Sequence, residues 1–508
     1  MRLIPRLLMA AVLLTAGARG AARAADPTNT PASEPDSDDQ TSDAPHLAGP
    51  AEAEPAAPSF QNPAFGPRYV IEDVIVRGNR KTKTALILDE IRLRAGDVVD
   101  ASDARVEAAR YRLLALGYFL DARLSLQRGT RRGGAVLLVE VEERGTIVIN
   151  DLFLNTSNAT LFWGGLDLSG TNFLGRGINL GGGFVASTTP NVPGADAGLG
   201  LRAHASLPAL RGSDLNLSLT GLFNDGSEFF RAGGEEKDSH AADFVAVHTR
   251  RTGGIAGVGK TLSRSMRFFI DLREEVVNAA LPGTRTQTLP SGETRPIDFD
   301  VQAGSSRVGS LTATLDYDTR SDPILPRSGM RLVASVEGAA PAGPGDYGFV
   351  KGLAQASVYR RMPGGHALGF HLLGGAIGGD APYFDRFFIG DLNLLLPRRA
   401  LGINFSTLQS RNLLGTGIAG HRYDNFAGRL LIDYAIPVWR RNGFIYGGDL
   451  FVAVGVLGLA SGADFRRPGG MTWASAPIDL TGDLGLRLDT FIGVFTMSIA
   501  NALGRSSF

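Results

Sequence analysis

Long stretches in which apolar and polar residues alternate run from residue 146 to the C-terminus, and they limit the fold of this chain more than any other feature. Such stretches include 215–223, 311–318 and 478–489. A period of two is typical of a strand with one dry face and one wet face. A soluble sandwich would show the same pattern. These stretches are about ten residues long and recur with glycine-rich turns, which favours a transmembrane β-barrel.

The composition excludes several other classes of protein. The 508 residues carry 51 Lys and Arg against 51 Asp and Glu, which argues against a protein that coats nucleic acid. Beyond the N-terminus, no run approaches the roughly 18–20 apolar residues of a spanning helix. For an exported chain without such helices, a closed barrel is the backbone solution in lipid. Cysteine is absent, which excludes disulfides, thiol catalysis and cysteine-ligated metal sites.

The N-terminus has the pattern of an export signal. Residues 1–24 combine Arg2 and Arg6 with a short apolar run and end in the small-x-small sequence Ala22-Arg23-Ala24. A membrane anchor is the alternative, but the apolar run is too short to span. Residues 25–67 contain eight acidic residues and no Lys or Arg. They are predicted to be a disordered acidic tether rather than a binding tail.

Residues 68–145 predict a small α/β module of order β-α-α-β-β. The strand 69–76 precedes a helix at 82–93 and a second helix that Ser102 can cap. Two strands follow at 122–127 and 135–141. The second strand of such a module is expected to be an open edge that accepts an extended peptide by backbone pairing. The alternative is a spacer that merely orients the rest of the chain.

Residues 146–508 predict a membrane all-β fold, an antiparallel barrel of about 16 strands. Fifteen stretches can be counted, and bacterial single-chain barrels normally have an even number. Either the first stretch, 146–154, is a linker, or one strand is hidden near 457–476. Short links such as 211–213 contrast with a long segment, about 378–424, which predicts the asymmetry of outer-membrane barrels.

Several phrases resemble known families. Ile75-Val-Arg-Gly-Asn79 and the Leu-Gly-Tyr-Phe119 end of the second helix resemble a POTRA (polypeptide-transport-associated) domain. Three later phrases resemble the bacterial surface-antigen outer-membrane barrel superfamily, which contains BamA/TamA-like assembly factors and two-partner secretion transporters. The matching residues are Gly175, Arg176 and Gly177 in an early turn, Asp316, Asp318, Arg320, Pro326 and Gly329 around a mid-barrel turn, and Asp385, Arg386 and Gly390 before the long loop.

The resemblance implies that the long loop folds into the lumen and carries an arginine that meets an acid on the barrel wall. Arg399, with Gly402 and Phe405, is the nearest match to the loop motif. Asp449 is expected to supply the wall acid, because Ala453 stands at the usual position four residues later. Asp433 is the other candidate partner of Arg399, and an arginine in lumen water is the alternative. Phe508 is the terminal aromatic residue common in barrels.

The resemblance also implies the function. A periplasmic module would bind unfolded polypeptide, and the barrel would insert it into the outer membrane or pass it across. The alternatives are a two-partner secretion transporter for one exoprotein and a passive porin or structural surface protein. The seven histidines are scattered and nucleophile and phosphate-binding motifs are missing, so no enzyme, metal or cofactor is expected. The expected partners are unfolded outer-membrane or secreted polypeptides and lipid, with periplasmic chaperones or accessory lipoproteins as further candidates.

Overall fold

The computed structural model describes residues 68–100, 103–157, 159–207, 213–234, 240–263, 265–289, 291–321, 325–341, 345–392, 399–407, 423–440, 443–466 and 478–504. The predicted signal (1–24) and tether (25–67) lie outside these residues, as does Phe508. Residues 467–476, where a sixteenth strand was sought, also lie outside them.

The N-terminal module is a four-stranded sheet with two helices. Its elements are β1 (Tyr69–Arg77), α1 (Thr84–Ile91), β2 (Val98–Val99), α2 (Ala104–Ala115), β3 (Phe119–Arg128) and β4 (Gly134–Glu143). The sheet order is β2-β1-β4-β3, with β1 and β4 parallel. The two-residue strand β2 was missed in the sequence, because two valines carry no periodicity. The cap of α2 is Asp103 rather than Ser102, since the Asp103 carboxylate accepts the N–H of Arg105.

The module has its own apolar core. Ile87 on α1, Leu113 on α2 and Leu137 on β4 are fully buried together. Both helices contribute side chains to this core, and the strand order places β3 at an edge of the sheet, paired with β4 alone. The predicted open edge therefore exists in the fold, at 119–128.

Fifteen antiparallel strands form the second part of the chain, each paired with its neighbours in chain order. They are β5 (Ile147–Asn155), β6 (Trp163–Phe173), β7 (Ile178–Ser187), β8 (Leu199–Leu207), β9 (Leu215–Arg231), β10 (Phe244–Thr261), β11 (Met266–Ala280), β14 (Gly304–Asp318), β15 (Gly329–Ala339), β16 (Phe349–Arg361), β17 (Ala367–Gly379), β20 (Phe426–Arg440), β21 (Ile445–Ala460), β22 (Ile478–Thr490) and β23 (Gly493–Gly504). Two short hairpins lie outside this sheet: β12 (Thr286–Thr288) with β13 (Thr294–Pro296), and β18 (Phe387–Phe388) with β19 (Tyr423–Asp424). A short helix, α3 (Gly462–Phe465), follows β21.

The alternation of the sequence becomes the two faces of the barrel wall. Along β21, Asp449, Phe451 and Ala453 are buried inside, whereas Leu450 and Val452 are 41% and 50% exposed outside. An outward apolar face with charged residues inside is the pattern of a transmembrane barrel, and it confirms the predicted fold class. No helix among the described residues is both long and apolar enough to cross a membrane.

The barrel is nearly closed at a seam between β5 and β23. The predicted stretch 146–154 is a strand and not a linker, so fifteen strands are described where sixteen were expected. Because the pairings are all antiparallel, β5 and β23 run in the same direction. No ladder joins these two strands in the described residues. They meet at the end nearest the module, where the N–H of Ile149 donates to the carbonyl of Ile492 at 2.7 Å.

Candidate functional site

The segment between β17 and β20 folds into the lumen. Its described parts are 380–392, 399–407 and 423–425. Two single-turn 3-10 helices, Tyr383–Asp385 and Ile389–Asp391, lead into it. Aromatic side chains on the segment pack with one another and with the wall in a buried cluster that includes Tyr383, Phe384, Phe387 and Phe388. We call this segment the inward loop.

An acid of the inward loop meets an arginine of the wall. The guanidinium of Arg273, on β11, donates to Asp385 at 2.8 Å and to Glu275 at 2.6 Å. Arg251, on β10, reaches the same Glu275 at 2.8 Å. All four side chains are largely buried. The family pattern has an arginine on the loop and an acid on the wall, so the polarity of this pair is reversed here.

Further wall residues hold the inward loop from several sides. Glu228 of β9 accepts hydrogen bonds from Asn404 at 3.0 Å and from Tyr423 at 2.7 Å. Lys351 of β16 donates to the carbonyl of Asp385 at 2.7 Å. Arg429 of β20 donates to the carbonyl of Leu392 at 2.8 Å. Contacts to strands this far apart in the sheet mean that the loop crosses the lumen rather than lying along one wall.

The prediction that Arg399 pairs with Asp449 or Asp433 is wrong. Arg399 binds Asp391 within the inward loop, with its Nε 3.0 Å from the carboxylate, and it donates to the carbonyl of Phe384 at 3.0 Å. It also lies over the rings of Phe388 and Tyr423. A guanidinium buried in the loop needs a near acid, and Asp391 is eight residues away in sequence, closer than any wall acid.

The two acids expected to meet Arg399 have other partners. Asp449 is buried and forms ion pairs with Arg327 and with Arg440, the latter at 2.8 Å. Asp433 is buried against His371 of the neighbouring strand β17. Asp449 lies near the module end of β21 and Asp433 lies at the middle of β20, whereas the inward loop enters from the opposite end. Their separation along the barrel axis explains why the predicted pair does not form.

The other residues of the loop motif, Phe405 and Gly402, make packing and backbone contacts rather than ion pairs. Phe405 is buried and stacks on Trp163 of β6, with ring centroids 5.4 Å apart. Its carbonyl accepts the hydroxyl of Ser157 at 2.9 Å. Gly402 has a φ of +87°, which glycine adopts without strain, and it lies beside Asn224. Gly390 is buried in the 3-10 turn.

The early turn, Asn172–Gly177, is where the barrel meets the module. The carbonyl of Gly175 accepts the N–H of Lys83 at 3.0 Å, and the amide of Asn172 donates to the hydroxyl of Thr82 at 2.8 Å. A Cβ on Gly175 would lie 2.0 Å from the carbonyl oxygen of Lys81, so only glycine fits. The carbonyl of Gly177 accepts the hydroxyl of Tyr118 at 3.0 Å.

Other contacts tie the module to the barrel on both sides of the seam. Arg92 pairs with Asp214 at 2.8 Å, next to β9. Arg144 pairs with Asp489 of β22 at 2.7 Å. In the early turn itself, Arg176 is exposed. The module is therefore attached to strands that flank the seam on either side.

Within the module, Glu143 holds the segment that the early turn contacts. Its carboxylate accepts the N–H groups of Thr82 at 2.7 Å and of Lys81 at 3.0 Å. Burial tends to raise the pKa of Glu143, but these N–H donors hold the pKa below its usual value. The charged form of Glu143 is therefore favoured at neutral pH.

The mid-barrel turn brings several predicted residues together at the module end. Asp316 is buried between Arg267 at 2.7 Å and Arg331 at 3.1 Å. Asp318 pairs with Arg320 at 2.8 Å. Gly329 has a φ of +93°, and a Cβ there would lie 2.2 Å from the carbonyl oxygen of Thr319.

The predicted loop residue Arg386 joins the inward loop to a second loop, 281–303. Its guanidinium lies 2.6 Å from Asp300. The carbonyl of the same Asp300 accepts the N–H of Tyr383 at 2.8 Å. Two loops that enter from the same end of the barrel are thus packed together.

A cavity of about 690 Å³ lies in the lumen beside the inward loop. Thr220, Asn224 and Ile255 of the wall face Arg399 and Gly402 across it. Among the described residues, no group of three or more His, Asp or Glu side chains is arranged to hold a metal ion.

Sequence reasoning missed Arg273, Glu275 and Glu228. A signal for the first two was present, since Arg273 and Glu275 lie two residues apart and therefore share a face of one strand. Two charged residues on the inner face of a barrel strand need partners inside the lumen. The sequence does not indicate which loop residue is the partner of Arg273.

The comparisons with known proteins bear on both parts of the chain. Residues 69–144 match the POTRA family model, described as the surface antigen variable number repeat. Residues 69–144 are a POTRA domain. This confirms the resemblance found in Ile75–Asn79 and in the end of α2. A search of the curated proteins found no match.

Two solved structures are similar to this chain. CdiB from Escherichia coli is similar, with 12% sequence identity and a TM-score of 0.54, over 85% of this chain and 73% of that chain. BamA from Haemophilus ducreyi lacking POTRA domains 1-3 has 13% identity and a TM-score of 0.49, over 86% and 82%. The similarity to CdiB shows the fold, a β-barrel with an apolar outer wall that follows an N-terminal POTRA domain.

Proposed function

We propose that this protein inserts unfolded polypeptide into the outer membrane. The observation that supports it best is the seam, where β5 and β23 lack a ladder in the described residues. Unpaired strand edges at the level of the lipid can each accept a strand of another chain. A client strand bound there would have its apolar face in lipid from the start.

The POTRA domain supplies a site for the client on the periplasmic side. Strand β3 is an edge strand with exposed side chains at Arg123, Ser125 and Gln127. Backbone pairing along such an edge reads side chains only loosely, which suits a receptor for many unfolded clients. The N-terminal end of β3 follows Tyr118, which contacts the early turn of the barrel. A client on β3 is therefore held next to the barrel wall.

The energy for insertion would come from the client itself. Nucleotide triphosphates are not available outside the cytoplasm, so no hydrolysis drives the step. Burial of apolar client side chains in lipid and completion of client backbone hydrogen bonds are both favourable. The role of the protein is then to hold the client and to provide an unpaired edge.

The inward loop argues against a passive porin. It crosses the lumen and is held by ion pairs and hydrogen bonds from several wall strands. Passage of one exoprotein through the lumen, as in two-partner secretion, would require this loop to leave its buried contacts. Insertion at the seam requires no such displacement, which is why it is the leading proposal.

Site-directed crosslinking tests the client site. The chain has no cysteine, so a single cysteine can carry a photo-crosslinker at Ser125 on β3 or, as the control, at the exposed Glu107 on α2. A urea-unfolded outer-membrane barrel polypeptide should crosslink to Ser125→Cys and not to Glu107→Cys. Equal crosslinking at both positions would contradict binding along the edge.

Conductance in planar bilayers separates the insertase from the porin. The intact protein should show no wide, steady channel, and deletion of Arg386–Asn425 should produce one. A wide channel that is the same with and without this deletion would favour the porin.

A further inference from the structure

The residues that precede β15 lie inside the mouth of the barrel rather than outside it. We call Leu325–Ser328 the inner arm. Leu325 and Pro326 are buried although they belong to a turn at the end of a hairpin. The inner arm is fastened to the start of the turn, since the N–H of Arg327 and the N–H of Ser328 both donate to the hydroxyl of Ser321, at 3.1 and 3.2 Å.

Arg327 reaches a distant strand. Its guanidinium pairs with Asp449 of β21, and both side chains are largely buried. Strands β16, β17 and β20 separate β15 from β21 in the sheet. Four strand spacings of about 4.8 Å amount to roughly 19 Å along the wall. The contact therefore crosses the mouth of the lumen instead of following the wall.

The inner arm lies at the periplasmic end. Strand β5 leads away from the POTRA domain, and the strands then alternate in direction, so β14 ends and β15 begins on the POTRA side. Asp449 is the fifth residue of β21, which starts on the same side. The inward loop enters the lumen from the opposite end.

We infer that the inner arm is a periplasmic gate, closed by the Arg327–Asp449 ion pair, which controls access of periplasmic solutes and extended polypeptide to the lumen. The barrel then has two closures, the inner arm on the periplasmic side and the inward loop on the outer side. The inner arm restrains bulky solutes and extended polypeptide only, so small ions still cross the lumen once the inward loop is removed.

The charges around the pair fit this role. Asp449 also binds Arg440, which belongs to its neighbouring strand β20. Without Arg327, Asp449 still has Arg440 as a partner, so its buried charge remains paired. The inner arm, in contrast, loses its ion pair to the wall and can move out of the mouth of the barrel. Loss of Arg440 leaves the contact between the inner arm and the wall intact. These two arginines are a matched test and control for the same acid.

Thiol labelling of the lumen tests the gate. Ser335 is half-buried on the inner face of β15, the face that carries Arg331 and Glu337, and lies six residues beyond the start of the strand, about 20 Å along it. In the otherwise cysteine-free protein in nanodiscs, the reaction of Ser335→Cys with a bulky maleimide reports access to the lumen. Adding Arg327→Gln should raise the labelling rate about tenfold, because a buried ion pair no longer holds the inner arm closed. Adding Arg440→Gln should leave the rate within about twofold of the parent.

Equal labelling in the parent and in Arg327→Gln, or an equal rise in Arg440→Gln, would overturn the gate. If Arg327→Gln does not fold, Arg327→Lys replaces it, because lysine keeps the charge but has fewer hydrogen-bond donors. Arg327→Lys should be labelled faster than the parent, by less than about tenfold. An unchanged rate in folded Arg327→Lys would also count against the gate. No client takes part in this measurement, so a result against the gate would not contradict the proposed insertase function. Likewise, a result against the insertase function would not contradict the gate.

Discussion

Several buried acids in the lumen are held by two arginines each. Glu275 lies between Arg251 and Arg273, and Asp316 lies between Arg267 and Arg331. Removing a charge from water is costly, and a second arginine offsets more of that cost than one does. The acid at the centre of such a triad is therefore more important for stability than a surface acid is.

Replacement of Glu275 should be strongly destabilising. Glu275→Gln leaves two buried guanidinium groups without their common partner and should lower the free energy of unfolding by about 3 kcal/mol or more. The control is Arg250→Gln on the same strand as Arg251, since its ion pair with Asp225 is more exposed and should cost less than about 1 kcal/mol. Denaturant unfolding of both variants measures the difference, and similar losses would contradict the buried triad.

Asp300 gives the contact between the two outer loops a pH dependence. Burial raises the pKa of Asp300 to about 7, although the neighbouring Arg386 opposes the rise. A carboxyl group of an unfolded chain titrates near 4, so the folded state binds this proton more tightly. The stabilisation is complete below about pH 4 and is lost as the pH rises through about 7.

As the pH rises from 5 to 8, the free energy of unfolding of the parent protein should fall relative to that of Asp300→Asn. Asparagine suits the positive φ of this position, so the substitution keeps the backbone. Denaturant unfolding of the two proteins at both pH values makes the comparison. The same pH profile in both proteins would show that Asp300 is not the titrating group.

At the scale of the element, the inward loop depends on a few side chains. Asp385 ties the loop to Arg273, and its carbonyl takes the ammonium group of Lys351. Asp385→Asn should raise the rate of amide hydrogen exchange in 383–391 about fivefold or more, because the ion pair that closes this part of the loop is lost. Asp380→Asn, an exposed acid at the start of the loop, is the control and should leave the rate unchanged. Equal exchange in the two variants would show that the pair does not hold the loop.

The elements themselves could be predicted from the sequence, but their partners could not. Each of the fifteen predicted stretches corresponds to a barrel strand, because period-two alternation is a local property. The edge strand β3 was also foreseen. The pairing of Arg399 with Asp391, of Asp449 with Arg327 and of Asp385 with Arg273 depends on how far apart the strands are around the barrel and along its axis. Such non-local distances leave no pattern in a single sequence.

At the scale of the whole molecule, the POTRA domain and the barrel are joined around the seam. The early turn packs on the domain at Thr82 and Lys83, and Arg144 pairs with Asp489 on the other side of the seam. The edge strand β3 and the unpaired edges of the barrel strands β5 and β23 therefore belong to one connected structure. Glycine at 175 was expected in a turn, but its contact with the domain is a tertiary feature that the motif did not indicate.

The most direct test of the account is insertion of a client into membranes that contain the purified protein. A urea-unfolded outer-membrane barrel polypeptide is diluted into liposomes with or without this protein, and its folded, protease-protected fraction is followed in time. The account predicts faster insertion with the protein, and loss of that acceleration when a disulfide between Ile149→Cys and Ile492→Cys closes the seam. Acceleration that persists fully with the seam closed would contradict insertion at that site, and no acceleration by the intact protein would contradict the insertase itself.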